Sequence, residues 1–337
     1  MQFLIKFWNR HKKVNLWILK FLLFFVLVYN LYSKFSGEEF KIAIHTFQNE
    51  FSFSKIHFLF IAIAFTFVNW GLETLKYYLT VQRVEKISYF RAYRGILYGN
   101  AMNLILPASI GELTGRPMVL KEENRAEGSG VAYYVSIVQK VASPFVGLVF
   151  FSLAVYFGFL KNEAVALGSF SFPFFQIIVA ISLLDFLFWL FLFLKPSIIL
   201  HLLERIQFLK RIFEKIENAL DIKTRLKWQL IGIGSIRFVV FVTQYWFLMF
   251  LFFDHFPHFE FYLLCGVYFL AQFVIPSLGF LDLGVRANIV AIVFINFSEN
   301  IVQLMAVNYL IWIINILIPS LFGFWLMRNN IMDTKEA

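Results

Sequence analysis

Glu112 and Arg116 stand four residues apart, and late in the chain Asp282 and Arg286 repeat that spacing. Each pair follows a proline and glycine: Pro107 and Gly111 before the first, Pro276 and Gly279 before the second, with Gly284 inside it. Residues four apart on a helix share a face, so each carboxylate can hold its arginine. Both stretches lie in apolar surroundings, where charges are costly unless they pair or line a watery cavity. A helix broken by proline and glycine leaves unsatisfied N–H groups, with partial positive charge, pointing at whatever binds there. An arginine beside such an end can take two phosphate oxygens through parallel hydrogen bonds. The expected chemistry is binding of an anionic headgroup by Arg116 and Arg286, held by Glu112 and Asp282, in a site shaped by Asn103 and by the prolines and glycines. The competing reading is that both pairs only lock helix ends.

Other polar residues fall inside apolar segments. Lys140 lies about 15 Å into its helix at about 1.5 Å per residue, and Asp185 sits near the middle of another segment. They form either a mutually satisfied structural pair or part of a path in which Lys140 meets the headgroup and Asp185 exchanges a coupling proton. Glu73 and Lys76 are close enough on one helix to satisfy each other, and Arg237, near a helix end, is expected to snorkel toward water. His255 and His258 are three apart with Pro257 between them, which departs from the four-residue spacing of a helical zinc motif, so no metal site is expected. No nucleophile elbow or glycine-rich phosphate loop occurs, and no cofactor is expected. Cys265 is the single cysteine and carries no redox inference.

The elements that must position these groups are membrane helices. Hydrophobic residues are 60% of the 337, phenylalanine numbers 46, and the mean hydropathy is +0.72, well above the roughly 45–50% apolar content of a soluble domain. Apolar runs at Val14–Tyr32, Ile56–Leu79, Val131–Phe159, Phe172–Leu194, Leu230–Phe253, Phe261–Pro276, Ala287–Phe297 and Val302–Met327 predict about eight membrane helices. The first follows Lys6, Arg10, Lys12 and Lys13, but Lys20 interrupts it and no small-residue cleavage site follows, so it reads as a retained helix.

Lysine and arginine concentrate in cytoplasmic loops. The basic N-terminus, the Arg83–Arg94 loop and the long segment 195–228 therefore read as cytoplasmic, as does the C-terminus after Arg328. That parity forbids a full crossing by Gly95–Gly111, which reads instead as a re-entrant loop, consistent with its glycines, asparagines and proline. The two broken-helix motifs suggest an inverted repeat. Segment 195–228 alternates isoleucine and leucine with basic residues at helical spacing, as an amphipathic helix at the membrane surface does. The net charge of +9 has the same origin, so nucleic-acid binding is not expected. The fold class is all-α, a polytopic transmembrane bundle with re-entrant half-helices, forming a single membrane domain over 1–337.

Tyr93, Arg94, Asn100, Asn103, Leu106, Pro107, Gly111, Glu112, Leu113 and Arg116, followed by Ile275, Pro276, Gly279, Leu283, Gly284, Val285 and Arg286, resemble the lysylphosphatidylglycerol synthase transmembrane region family, also called flippase-like domain proteins. The resemblance implies a polytopic bundle that, in multidomain relatives, moves an aminoacylated phospholipid made by a separate soluble domain. This chain has no room for that domain, so lipid synthesis is not expected of it. Relatives commonly carry a Glu-Arg pair where Gln139 and Lys140 stand, and an acidic residue after the second arginine where Ala287 and Asn288 stand, so the charge of the site differs.

The function expected is binding and translocation of an anionic amphipathic lipid: a phospholipid, glycolipid or polyprenyl-phosphate carrier of the inner cell membrane. Two alternatives remain. One is a non-catalytic subunit beside a membrane-bound glycosyltransferase or envelope assembly partner; the other is a lipid-phosphate transferase.

Overall fold

The computed structural model describes residues 53–106, 110–160, 165–167, 170–198, 219–253, 259–275, 282–294 and 301–333, with isolated residues between 36 and 49 and at 217. The expected first helix and most of the amphipathic segment, 199–216, lie outside the described residues. Ten α-helices occur among those described: α1 (Ile56–Val81), α2 (Tyr89–Asn103), α3 (Ile110–Gly115), α4 (Arg125–Tyr156), α5 (Phe174–Leu194), α6 (Thr224–Met249), α7 (Phe259–Val274), α8 (Asp282–Val293), α9 (Ile301–Trp312) and α10 (Ile318–Asp333). A π-helical turn, Ile313–Leu317, joins the last two into one continuous rod. A two-stranded antiparallel hairpin, β1 (Val165–Leu167) with β2 (Phe170–Phe172), links α4 to α5. Among the described residues, five helical stretches are long and apolar enough to cross a membrane: α1, α4, α5, α6 and the α9–α10 rod.

Helices α2 and α3 form the re-entrant hairpin that the charge map required. A Cβ on Gly111 would collide with the backbone of Met102 and Asn103, and one on Gly115 would lie 2.5 Å from the Tyr98 carbonyl oxygen. On Gly99 it would lie 3.3 Å from Glu112 Cα, and on Gly95 2.9 Å from the Arg116 carbonyl oxygen. Numbers rise on one arm as they fall on the other, so the arms are antiparallel and packed backbone to backbone, which only small residues permit. Arg91 Nε donates to the Val119 carbonyl at 2.7 Å, and Glu85 accepts from the Lys121 amide at 2.9 Å. The chain thus leaves on the side where it entered, at the Val81 end of α1.

Helices α7 and α8 make a second break, and it opens the other way. Phe261 near the start of α7 stacks with Phe294 just past α8, and Phe261 also meets Phe253 at the end of α6. Lys55, at the opposite end of α1 from Val81, donates to the Phe253 carbonyl at 3.0 Å. The second hairpin therefore enters from the face opposite to the first, an inverted arrangement. Helix α7 has 16 residues, about 24 Å at about 1.5 Å each, short of the roughly 30 Å hydrocarbon core; the reading of Phe261–Pro276 as an independent span gives way to one arm of a broken pair.

The packing core is largest around α7. Gly266 accepts the Phe150 ring of α4 where any Cβ would collide, and Gly147 of α4 accepts Leu270. Buried Tyr245, Tyr268, Phe269, Phe294 and Trp312 fill the remaining space from α6, α7, the end of α8 and α9. A second core joins Tyr77, Ile96, Val119 and Val135 around the first hairpin, with Leu326 and Met327 of α10 packed on it.

Candidate functional site

The polar residues of α1 recur every three or four positions, and Thr66, Asn69, Glu73, Lys76, Tyr77 and Thr80 are all buried. That stripe faces inward because a helix places such positions on one side. Glu73 is its centre. Its Oε1 lies 2.9 Å from Arg116 Nη2, and its Oε2 lies 2.8 Å from Lys76 Nζ and 3.2 Å from Arg237 Nη1. Arg116 Nη2 also meets Glu112 Oε2 at 2.7 Å, across the four-residue spacing. Two carboxylates and three cations from α1, the first hairpin and α6 are thereby tied together. Gly99 makes room for the arginine: a Cβ there would sit 3.0 Å from Arg116 Cγ.

A shell of neutral groups orients the ions. Ser136 of α4 donates to Glu112 Oε2 at 2.7 Å, and Asn103 Nδ2 donates to Oε1 at 3.3 Å. Tyr77 donates to the Arg116 carbonyl at 3.3 Å. Lys76 donates to Gln139 Oε1 at 2.7 Å, while Gln139 Nε2 donates to Ser143 at 2.8 Å. Arg237 lies over the Trp70 ring at 5.3 Å, so the residue expected to snorkel turns inward instead, because Glu73 and an aromatic face offer it partners. Arg116 and Glu73 are 2% and 3% exposed in their side chains, but Glu112 is 21% exposed. The network is sealed at its centre and open at Glu112.

Lys140, on the same helix as Ser136, stands 3.8 Å over the Trp189 ring of α5. Trp189 Nε1 donates to Asp185 Oδ1 at 2.9 Å. Lys140 and Asp185 are thus brought to the same place without a direct ion pair, the indole standing between them. Both are half-buried.

The second motif is described in part. Pro276 and Gly279 lie outside the described residues; Asp282 and Gly284 are placed on the first turns of α8 by the backbone alone. Arg286 meets Gln272 of α7: the amide oxygen, in the orientation that satisfies both groups, accepts from Nη1 at 2.9 Å and Nε at 3.2 Å. The Tyr268 hydroxyl lies 2.9 Å from Gln272 and 2.5 Å from Asn308 of α9. The two arginines are served by different elements, Arg116 by α1 and the first hairpin and Arg286 by α7. Pro107 lies outside the described residues, while Gly111 is the close contact that lets α3 reach Asn103.

Sequence reasoning singled out Glu73 as a local partner of Lys76 and missed it as the hub. It also passed over Ser136 and Tyr77. The available signal was the recurrence of Thr66, Asn69, Glu73 and Thr80 on one face of an apolar helix. A neutral polar knot that adjoins the ions through Trp70 was not legible: Asn315 in the π turn donates to Gln244 Oε1 at 2.9 Å, Asn69 donates to Asn315 Oδ1 at 3.3 Å, and Trp70 Nε1 to its carbonyl at 3.1 Å. Gln244 in turn donates to Thr66 at 2.7 Å. Among the described residues no group of histidine, cysteine and carboxylate side chains could hold a metal ion.

No curated protein matches the chain. A family model described as the lysylphosphatidylglycerol synthase TM region matches residues 17–323, nearly the whole length and both broken-helix motifs. With the first hairpin, the apolar spans and that match in agreement, the chain is an integral membrane protein that belongs to the lysylphosphatidylglycerol synthase transmembrane region family.

Proposed function

We propose that the protein binds an anionic amphipathic lipid and translocates its headgroup between the leaflets of the cell membrane. The observation that carries this reading is the ion network at the centre of the bundle: Lys76, Arg116 and Arg237 outnumber Glu73 and Glu112 by one charge, with Glu73, Lys76 and Arg116 buried. Intramembrane charges are retained where they meet a substrate or ion, and a surplus cation favours an anion. Arg116 is sealed in this conformation, so headgroup contact begins at the exposed rim and reaches the arginine when the network rearranges. The inverted hairpins supply an entrance from each face, and Arg286 provides a second cation on the opposite approach.

The Val81 end of α1 is assigned to the cytoplasm on its basic loop, with both termini on that side and residues 1–337 acting as one membrane domain. Transport is tested in proteoliposomes carrying labelled phosphatidylglycerol or phosphatidylcholine. Wild-type protein is expected to move the anionic lipid, and Arg116→Ala and Arg286→Ala, each checked for intact folding, to move it poorly. Absence of movement of either lipid by the wild type refutes the proposal.

A further inference from the structure

We propose that Lys140, Tyr133 and Ser136 on α4 form the entry site for the lipid headgroup, at the seam between α4 and α5, and that this site selects a phosphodiester carrying one negative charge. The inference rests on the translocation reading above and names its docking residues and its charge selectivity.

Positions 133, 136 and 140 share one face of α4, since three and four residues approximate a helical turn. Their donors differ in what already occupies them. Ser136 is engaged with Glu112 at 2.7 Å. The Tyr133 hydroxyl is buried with no hydrogen-bond partner among the described residues, in a position where a buried polar group is normally satisfied. Lys140 rests on the Trp189 ring, whereas Lys76, Arg116 and Arg237 each meet a carboxylate within 4.0 Å; no such carboxylate meets Lys140 among the described residues. Glu112 and Asp185 flank it at longer range. A phosphate oxygen offers Lys140 a charged hydrogen bond stronger than the ring face it would leave, and Tyr133, about 10 Å away along the helix, is left for a more distant oxygen of the same headgroup.

The seam also offers apolar surface to acyl chains: Phe145 of α4, 50% exposed, stacks on Phe186 of α5. Helix α5 turns Leu184, Leu187 and Phe191 outward on the side away from Trp189, so apolar surface continues around that helix. Lys140 itself is half-buried against the Trp189 ring. Charge counting sets the headgroup. Extending the ion network to Lys140 and Asp185 gives four cations, Lys76, Arg116, Arg237 and Lys140, against three carboxylates, Glu73, Glu112 and Asp185. A monoanion completes the balance; a zwitterion leaves one cation over.

The test is equilibrium binding of fluorescent short-chain phosphatidylglycerol, phosphatidylcholine and phosphatidic acid to the full chain in neutral detergent. Wild type is expected to prefer phosphatidylglycerol over phosphatidylcholine by about tenfold, because both phosphodiesters can bond Lys140 but the choline ammonium leaves the surplus cation uncompensated. Lys140→Gln is expected to abolish that preference, Tyr133→Phe to weaken phosphatidylglycerol binding several-fold without changing charge, and Asp185→Asn to shift preference toward the more highly charged phosphatidic acid. Equal binding of phosphatidylglycerol and phosphatidylcholine by wild type, or an undiminished preference in folded Lys140→Gln, overturns the site. Binding is read separately from movement: a failed entry site with lipid still transported leaves the translocation proposal standing, and selective binding without transport removes only the latter.

Discussion

Replacing Glu73 by glutamine keeps the side-chain shape and removes one charge from the centre of the bundle. On an exposed helix a Glu–Lys pair at this spacing contributes about 0.2–0.5 kcal/mol. Here the same carboxylate serves Lys76 at 2.8 Å and Arg116 at 2.9 Å, both buried, and the partly buried Arg237 at 3.2 Å. Its loss leaves Lys76 with the neutral Gln139, Arg237 with the Trp70 ring, and Arg116 with Glu112 alone. Breaking a buried ion pair by removing one partner costs about 3–5 kcal/mol, because the other charge stays buried and uncompensated. At the low end of the usual conversion, about 2 °C per kcal/mol, Glu73→Gln lowers Tm by about 6–10 °C. The assay is thermal unfolding of detergent-solubilised protein followed by size-exclusion chromatography. The same reasoning demands a rescue: Lys76→Met added to Glu73→Gln removes the fully buried cation and restores about half of the loss. A Tm within about 2 °C of wild type, or a double variant no more stable than the single, refutes the hub assignment.

Three further outcomes are expected. Gly115→Ala forces a methyl to 2.5 Å from the Tyr98 carbonyl and destabilises by about 1–3 kcal/mol through overpacking, whereas Gly232→Ala, which meets nothing within 4 Å, is neutral or stabilising by about 0.5–1 kcal/mol on helix propensity; thermal unfolding compares the two. In the loop between α1 and α2, burial opposes ionisation of Glu85, but hydrogen bonds from Asn124 and the Lys121 amide, with Arg91 at 3.2 Å, hold its carboxyl below the ordinary value of 4.5. A depressed carboxylate contributes stability above its unfolded pKa and loses it as pH falls through the folded one. Glu85→Gln is therefore less stable than wild type at pH 7, and the gap in Tm closes below about pH 4.5. A double-mutant cycle between Asn315→Ala and Gln244→Ala gives a coupling near 0.6 kcal/mol, the average for neutral interhelical hydrogen bonds in membranes, several times smaller than the Glu73–Lys76 coupling from the matching cycle.

The long apolar spans were legible in sequence because length and hydropathy decide them without tertiary information. The ends of α1, α4, α5 and α6 lie within a few residues of the expected runs, apart from the six-residue extensions at the starts of α4 and α6, where Arg125, Glu127, Thr224, Arg225 and Lys227 are polar residues that hydropathy excludes from a span. The first hairpin was legible by a different route: charge parity forbade a crossing, and Gly95, Gly99 and Gly111 permitted close return. What sequence could not supply was partnership across elements. Spacing linked Glu73 to Lys76 and Glu112 to Arg116, since both are contacts within a helix turn. The bonds that merge these pairs with Arg237 span α1, the turn after α3 and α6, and no local period announces them. The Lys140–Asp185 relation was half legible, because proximity of two opposite charges in apolar helices was foreseeable while the interposed Trp189 depended on the rotation of α5.

If a headgroup reaches Arg116 as proposed, the glycine contacts constrain its route. Arms that touch backbone to backbone at Gly111 and Gly115 have no slack to separate without losing the hairpin, and α10 binds the same hairpin through Ser320 to the Asn100 carbonyl and through Gly323, which admits Leu97. Hairpin and α10 are therefore expected to move as one body. On the side facing α4 the hairpin is held by Val135, by Gly128 against Leu120 and by the Ser129 hydrogen bond to the Leu113 carbonyl, but Glu112 itself meets α4 through one hydroxyl, Ser136, and its carboxylate is 21% exposed. A phosphate arriving at Lys140 is on that side. In exchanging for Glu112 on Arg116 it would leave every cation paired once the exchange is complete, with Glu112 transferred to Lys140, so neither end state holds an unpaired buried charge. Removing Lys140 breaks this exchange at the return site for Glu112 as well as at entry. Lys140→Gln is accordingly expected to slow anionic-lipid movement in proteoliposomes by more than its loss of binding affinity; a rate reduced only in proportion to affinity would restrict Lys140 to docking.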